Sequence, residues 1–202
     1  GNLLEVPGEV ADEEAVFTEP LAAALRIREQ IPVRPTARTA VVGPGRLGLL
    51  VAQVLALGGT SVTVLGRRPQ SLELPARLGL LTGLVDDAAG DSFDLVVEAT
   101  GNDAGFAHSL RIVRPQGWLV LKSTFAGRAN IDLTKLVVGE IRVVGSRCGP
   151  FAPALRLLRE AAVTGRGIQV RPLIEAVYSL DEALAGFDHA ARPGVRKVLL
   201  VA

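Results

Sequence analysis

A chain of 202 residues, 49% hydrophobic and 21% charged, is long enough to bury one substantial core and to fold as one domain with appended pieces. Its formal net charge of +1 comes from 22 basic against 21 acidic side chains, so no long-range field singles out nucleic acid or an anionic membrane, and a small-molecule ligand is the default partner. There is no apolar run of about 18 residues and no basic-then-apolar start, so the expected location is cytoplasmic. The single cysteine, Cys148, has no Cys or His companion at ligand spacing and reads as a buried, inert thiol. A chain that begins at Gly1 and contains no methionine reads as a piece of a longer protein.

In chain order, Leu3 to Phe17 mixes apolar residues with Glu9, Asp12, Glu13 and Glu14 around Pro7 and Gly8, and reads as an irregular lead-in. Leu21, Ala24, Leu25 and Ile27 fall near helical spacing after Pro20, which predicts a helix over Leu21 to Ile31 that Pro32 and Pro35 end. From Arg38 the pattern becomes strand and helix in alternation. Strands are predicted over Thr39 to Val42, Ser61 to Leu65, Leu80 to Val85, Asp94 to Glu98, Trp118 to Leu121 and Ile141 to Val144. Helices are predicted over Leu49 to Leu57, Pro69 to Leu78 and Asp103 to Val113. Six strands in this rhythm predict an α/β fold, a doubly wound parallel sheet of the Rossmann type. The tail predicts a helix over Ala152 to Ala162, a strand over Val170 to Val177, a helix over Leu180 to Ala190 and a strand over Lys197 to Val201, packed on something outside the sheet. The expected organisation is a lead-in over 1–20, the sheet domain over 21–147 and a return segment over 148–202.

The chemistry concentrates at Gly43-Pro44-Gly45-Arg46-Leu47-Gly48. Glycines at this spacing often make only a tight turn, but here the turn follows a predicted buried strand and opens a predicted helix, as dinucleotide binding requires. On that reading Gly43 permits the turn, Gly45 lets the backbone approach a pyrophosphate, and Gly48 lets helix and strand close up. Unpaired N–H groups at the helix start, around Arg46 and Leu47, then meet the phosphate charge. After the second strand, where a carboxylate would select NAD, stands Gly66-Arg67-Arg68. Gly66 leaves room for a 2′-phosphate and the two guanidinium groups supply charge-assisted bonds to it, so NADP(H) is preferred over NAD(H); a solvated basic turn is the other reading. Thr100, after the fourth strand, is either a contact to the nicotinamide ribose or an ordinary turn residue.

These residues together resemble the medium-chain dehydrogenase/reductase family, in its zinc-dependent alcohol dehydrogenase branch. Beside the glycine turn, the resemblance rests on Val16-Phe17-Thr18-Glu19-Pro20-Leu21-Ala22, Glu98-Ala99-Thr100-Gly101, Val143-Val144-Gly145-Ser146, Pro172-Leu173-Ile174 and Gly194-Val195-Arg196-Lys197-Val198-Leu199. It implies that Glu19 ligates a catalytic zinc, although an acid at a helix start also suits the helix dipole. It implies that Arg196 reaches the cofactor pyrophosphate, an ordinary surface arginine being the alternative. It further implies that the backbone at Gly145 and Ser146 receives the nicotinamide carboxamide.

Family members carry the other zinc ligands and much of the substrate pocket in an amino-terminal barrel-like domain, to which nothing here corresponds. Neither His108 nor His189 has partner ligands by spacing. The expectation is therefore the cofactor-binding portion of an alcohol, polyol or sugar dehydrogenase, with no catalytic residue of its own and zinc only in the intact protein. The implied partner is a second copy of the chain, as homodimer or homotetramer, with Ile141 to Val144 as the pairing edge. Rival readings are a non-enzymatic NADP(H)-binding module and a zinc-independent quinone reductase, against which Glu19-Pro20 speaks.

Overall fold

The computed structural model describes residues 3–124 and 130–202. Six parallel strands form one sheet: β1 (Arg38–Val42), β2 (Ser61–Gly66), β3 (Leu81–Leu84), β4 (Phe93–Glu98), β5 (Val113–Leu121) and β6 (Arg142–Gly145). Their order across the sheet is β3-β2-β1-β4-β5-β6, the doubly wound order with its reversal between β1 and β4. Helices α1 (Asp12–Ala15), α2 (Thr18–Gln30), α3 (Arg46–Ala56), α4 (Glu73–Arg77), α5 (Asp103–Ile112), α6 (Leu133–Val138), α7 (Phe151–Thr164) and α8 (Ala183–Ala190) complete it. Two last strands, β7 (Ile174–Ser179) and β8 (Lys197–Val201), pair in parallel as a separate small sheet.

The run of β-branched and small apolar residues in β1 follows from burial on both faces. Val41 joins one core with Leu95 and Val97 of β4, Leu21 and Ile27 of α2, and Leu49 to Ala52 of α3. Ala40 and Val42, pointing the other way, join a second core with Val96, Leu119, and Phe106 and Leu110 of α5. The first core continues into the tail, where Ala154 and Leu158 of α7 and Leu173 are buried.

Several elements differ from the sequence expectation. The lead-in is partly helical, and its Val10 and Phe17 are buried in the first core. Because Phe17 seals its end, α2 starts at Thr18, one turn early, with Glu19 in its first turn. The helix expected over Pro69 to Leu78 is a 3-10 turn over Pro69–Leu72 followed by the short α4, since Pro75 has no N–H for the i−4 bond. β5 starts at Val113, where a helix end was expected. The strand expected from Val170 starts at Ile174, because Arg171–Leu173 makes a 3-10 turn on Pro172. Helix α6, between β5 and β6, had no counterpart in the sequence reading.

No helix among the described residues is long and apolar enough to cross a membrane. Phe17 is 1% exposed, so Phe17→Ala opens a cavity that the surrounding α2 and α3 side chains refill only in part. The expected loss, read from urea unfolding, is about 3–5 kcal/mol. A loss below about 1 kcal/mol would show that the lead-in is a passive appendage.

Candidate functional site

The carboxyl ends of β1, β2 and β4 open into a cleft of about 800 Å³, at the place where the strand order reverses. Its lining includes Gly43, Pro44 and Gly45 of the glycine turn, Gly66, Arg67 and Arg68 after β2, and Thr100 and Asn102 after β4.

The three glycines of the turn have different surroundings. Gly43 has φ +110°, and a Cβ there would lie 2.7 Å from the Ala99 carbonyl oxygen. A Cβ on Gly48 would lie 2.0 Å from the Gly43 carbonyl oxygen, so this glycine alone lets α3 start against the end of β1. A Cβ on Gly45 would meet nothing within 4 Å, and Gly45 is part of the cleft wall. Gly45 stands just before α3, whose first turn has no side-chain cap, so the N–H groups of Arg46, Leu47 and Gly48 lack the side-chain acceptor that α5 has in Asn102. A phosphate fits such a cradle, because uncapped donors and the positive end of the helix dipole coincide with room for the ligand.

Arg67 and Arg68 are exposed, and among the described residues neither guanidinium makes an ion pair or hydrogen bond. Gly66 lines the cleft, and its absent side chain also makes room for its neighbours: a Cβ there would lie 2.7 Å from Ser71 Oγ, 3.0 Å from Leu72 Cδ2 and 3.2 Å from Pro44 Cγ. The cleft also holds two residues that the sequence reading did not assign to it, Asp86 after β3 and His108 on α5, with Nε2 to Oδ1 3.6 Å. Their separation of 22 positions gave no local signal, and only the fold brings them together.

Thr100 lines the cleft, but its hydroxyl is committed inward. It donates to Glu98 Oε1 at 2.6 Å, and the N–H groups of Thr100 and Gly101 reach the same oxygen at 2.6 and 3.3 Å. The other oxygen, Oε2, accepts the Ser123 hydroxyl, and Ser123 Oγ accepts the Gly101 N–H at 2.9 Å. Glu98 is 2% exposed, so this side chain ties the ends of β4 and β5 together by four donors. Thr100 therefore holds the turn after β4 and at the same time stands in the cleft wall.

The remaining candidates lie outside the cleft lining. Gly145 and Ser146 end β6 beside Leu121, whose carbonyl accepts the Ser146 N–H at 3.0 Å. Arg196 pairs with Glu175 at 3.0 Å, and its carbonyl accepts from Arg46 Nη1 at 3.4 Å, which brings β8 beside the start of α3. Glu19 is exposed on α2, within electrostatic reach of Lys122 and Lys197. Cys148 is exposed, not buried, because it sits in the irregular segment between β6 and α7. His189 Nδ1 lies 3.0 Å from the Tyr178 hydroxyl. Among the described residues no three His, Cys, Asp or Glu side chains gather, so they do not compose a zinc site and no step is assigned to a metal.

A family model described as zinc-binding dehydrogenase matches residues 47–160, from the glycine turn to α7. The chain belongs to the zinc-binding dehydrogenase family. Its relatives include D-arabinitol dehydrogenase 1 of Uromyces fabae, 28% identical over 200 residues, covering 90% of this chain and 56% of that one. Another is glucose 1-dehydrogenase 2 of Vulcanisaeta moutnovskia, 36% identical over 180 residues, covering 79% and 51%. Among solved structures, a zinc-binding dehydrogenase from Sinorhizobium meliloti 1021 bound to NADP superposes with a TM-score of 0.87 at 25% identity, over 98% of this chain and 62% of that one. This family member therefore spans about half to two thirds of the length of the relatives it matches, and those relatives are oxidoreductases.

Burial pulls the Lys122 ammonium down to about 8; Cys148 and Glu19 nearby oppose the shift and Arg26 adds to it. The unfolded chain then binds more protons than the folded one between about pH 8 and the ordinary lysine value of 10.5, and stability rises with pH across that window. In thermal melts, the native chain is expected to gain on Lys122→Met over that interval and to run parallel to it below pH 7. Parallel curves throughout would contradict the shift.

Proposed function

We propose that this chain is the NADP(H)-binding portion of a dehydrogenase acting on a small alcohol, polyol or sugar. The observation that carries the reading is the coincidence, in one cleft, of the open Gly45 cradle at an uncapped helix start with the Arg67 and Arg68 side chains, which have no partner among the described residues. The NADP-bound solved relative and the sugar and polyol dehydrogenases among the curated relatives support it.

On this reading Gly43 and Gly48 shape the turn, and the N–H groups of Arg46, Leu47 and Gly48 receive the pyrophosphate. Arg67 and Arg68 hold the 2′-phosphate, which an acid at the end of β2 would repel. Arg46, with its own carbonyl partner on Arg196, adds positive charge at the phosphate end. The strand end at Gly145 and Ser146 receives the carboxamide. Bound there, the nicotinamide supplies the hydride acceptor for the alcohol carbon. Glu19 offers one carboxylate toward a zinc that needs about three protein ligands in the intact protein. Pairing of two copies along β6, the edge strand of the sheet, completes the proposed assembly.

The cofactor assignment is tested by thermal stabilisation of the purified chain with NADPH and with NADH at equal concentration. NADPH is expected to stabilise more, and the double change Arg67→Ala with Arg68→Ala is expected to weaken NADPH about tenfold or more while sparing NADH. Equal or greater stabilisation by NADH would sink the 2′-phosphate assignment. Stabilisation by neither would sink the dinucleotide reading itself.

A further inference from the structure

Lys122, the residue just after β5, is 8% exposed and belongs to no ion pair among the described residues. Its backbone N–H donates to the Glu98 carbonyl at 2.9 Å, which extends the β4–β5 pairing by one step. Its side chain then crosses to the next strand end, where Nζ donates to Ser146 Oγ at 3.0 Å and to the Arg147 carbonyl at 2.7 Å. A lysine is among the costliest side chains to bury, and the ordinary way to satisfy it is a carboxylate partner. Here both acceptors are neutral groups of the segment that follows β6. The burial therefore serves that segment.

The segment itself, residues 146–150, has no regular secondary structure and needs external anchors. Gln30 Nε2 donates to the Gly145 carbonyl at 3.2 Å on one side of it. Gly149 lies so close to α2 that a Cβ would fall 1.8 Å from the Ala22 carbonyl oxygen. Lys122 supplies the middle anchor. The peptide joining Arg147 to Cys148 is trans, so its carbonyl and its N–H point in opposite directions. Fixing the carbonyl on an amine of Lys122 fixes the direction of the Cys148 N–H, and a strong donor on the carbonyl also polarises that N–H toward a better hydrogen-bond donor.

We propose that Lys122 is a positioning residue for the nicotinamide end of the cofactor, acting through Ser146 and the Arg147–Cys148 peptide, whose polar groups receive the carboxamide. The inference rests on the proposed cofactor reading and deepens it. Lys122 does not contact the cofactor; it sets the angle at which the strand end meets it. Loss of Lys122 then affects the nicotinamide half of the ligand and leaves the phosphate half, held at Gly45, Arg67 and Arg68, as it was.

The test compares two ligands on the full chain: NADPH, and 2′-phospho-ADP-ribose, which lacks the nicotinamide. For the native chain, titration calorimetry is expected to show tighter binding of NADPH, and the dihydronicotinamide fluorescence is expected to shift on binding. In Lys122→Met the affinity for 2′-phospho-ADP-ribose stays within twofold, the preference for NADPH falls about tenfold, and the fluorescence shift is lost. A parallel fall for both ligands indicates a general structural role and overturns the proposal, as does an unchanged preference. Ser146→Ala, which removes one of the two acceptors and keeps the lysine, is expected to show the same selective loss at smaller size. If Lys122→Met does not fold, an unchanged preference in Ser146→Ala overturns the proposal by itself. Native chain that binds neither ligand overturns the cofactor reading and this inference together, whereas native binding with an unaltered ligand preference in both variants overturns only the role of Lys122.

Discussion

The approach of α3 to the end of β1 is the contact on which the rest of this molecule depends. A methyl group on Gly48 would sit 2.0 Å from the Gly43 carbonyl oxygen, far inside van der Waals contact, so helix and strand meet there backbone to backbone. That closeness brings the start of α3 to the point where the sheet reverses its order, and no side chain caps the exposed N–H groups. A strand turn that opened by even one carbon would move these donors away from the cleft. The same contact lets Leu49 to Ala52 reach the first core, so the geometry of the candidate cradle and the packing of the protein are one constraint.

Around this fixed point the carboxyl ends of the central strands are held by buried polar side chains. Glu98 gathers four donors from the chain after β4 and from Ser123, and Lys122 gathers two acceptors from the chain after β6. Each is satisfied by loop groups that a strand end would otherwise leave without partners. Opposite charges one strand apart are thus used to shape loops and not to pair with one another. The strand ends are thus cross-linked by buried hydrogen bonds, in contrast to the exposed Arg67 and Arg68, which make no such bonds among the described residues.

The doubly wound sheet was legible in the sequence because two-sided burial writes itself as short apolar runs, as in Thr39 to Val42 and Leu95 to Val97. The glycine turn was legible because its mechanism demands its neighbours. Four kinds of feature were hidden. Phe17 and Val10 lay in an acidic stretch whose average polarity masked two core anchors. Gly66 carried a plausible ligand role, and its second role, making room for Ser71, Leu72 and Pro44, is one that only folding assembles. Lys122, Asp86 and His108 have no local signature at all, since each acquires its meaning from a partner on another element. Pro172 misplaced the start of β7 because a proline ahead of an apolar run fits a strand start and a 3-10 turn equally well.

The small sheet of β7 and β8 has a bearing on how the cleft behaves over time. Two parallel strands with one short helix make a marginal folding unit, and each strand keeps one edge outside any ladder among the described residues. Yet Pro193 and Gly194, in the connection that leads into β8, form part of the cleft wall. The small unit therefore shares a boundary with the cleft of the main sheet. Backbone amides of β8 are therefore a natural reporter of occupancy, since a ligand resting on Pro193 and Gly194 restrains the connection that leads into that strand.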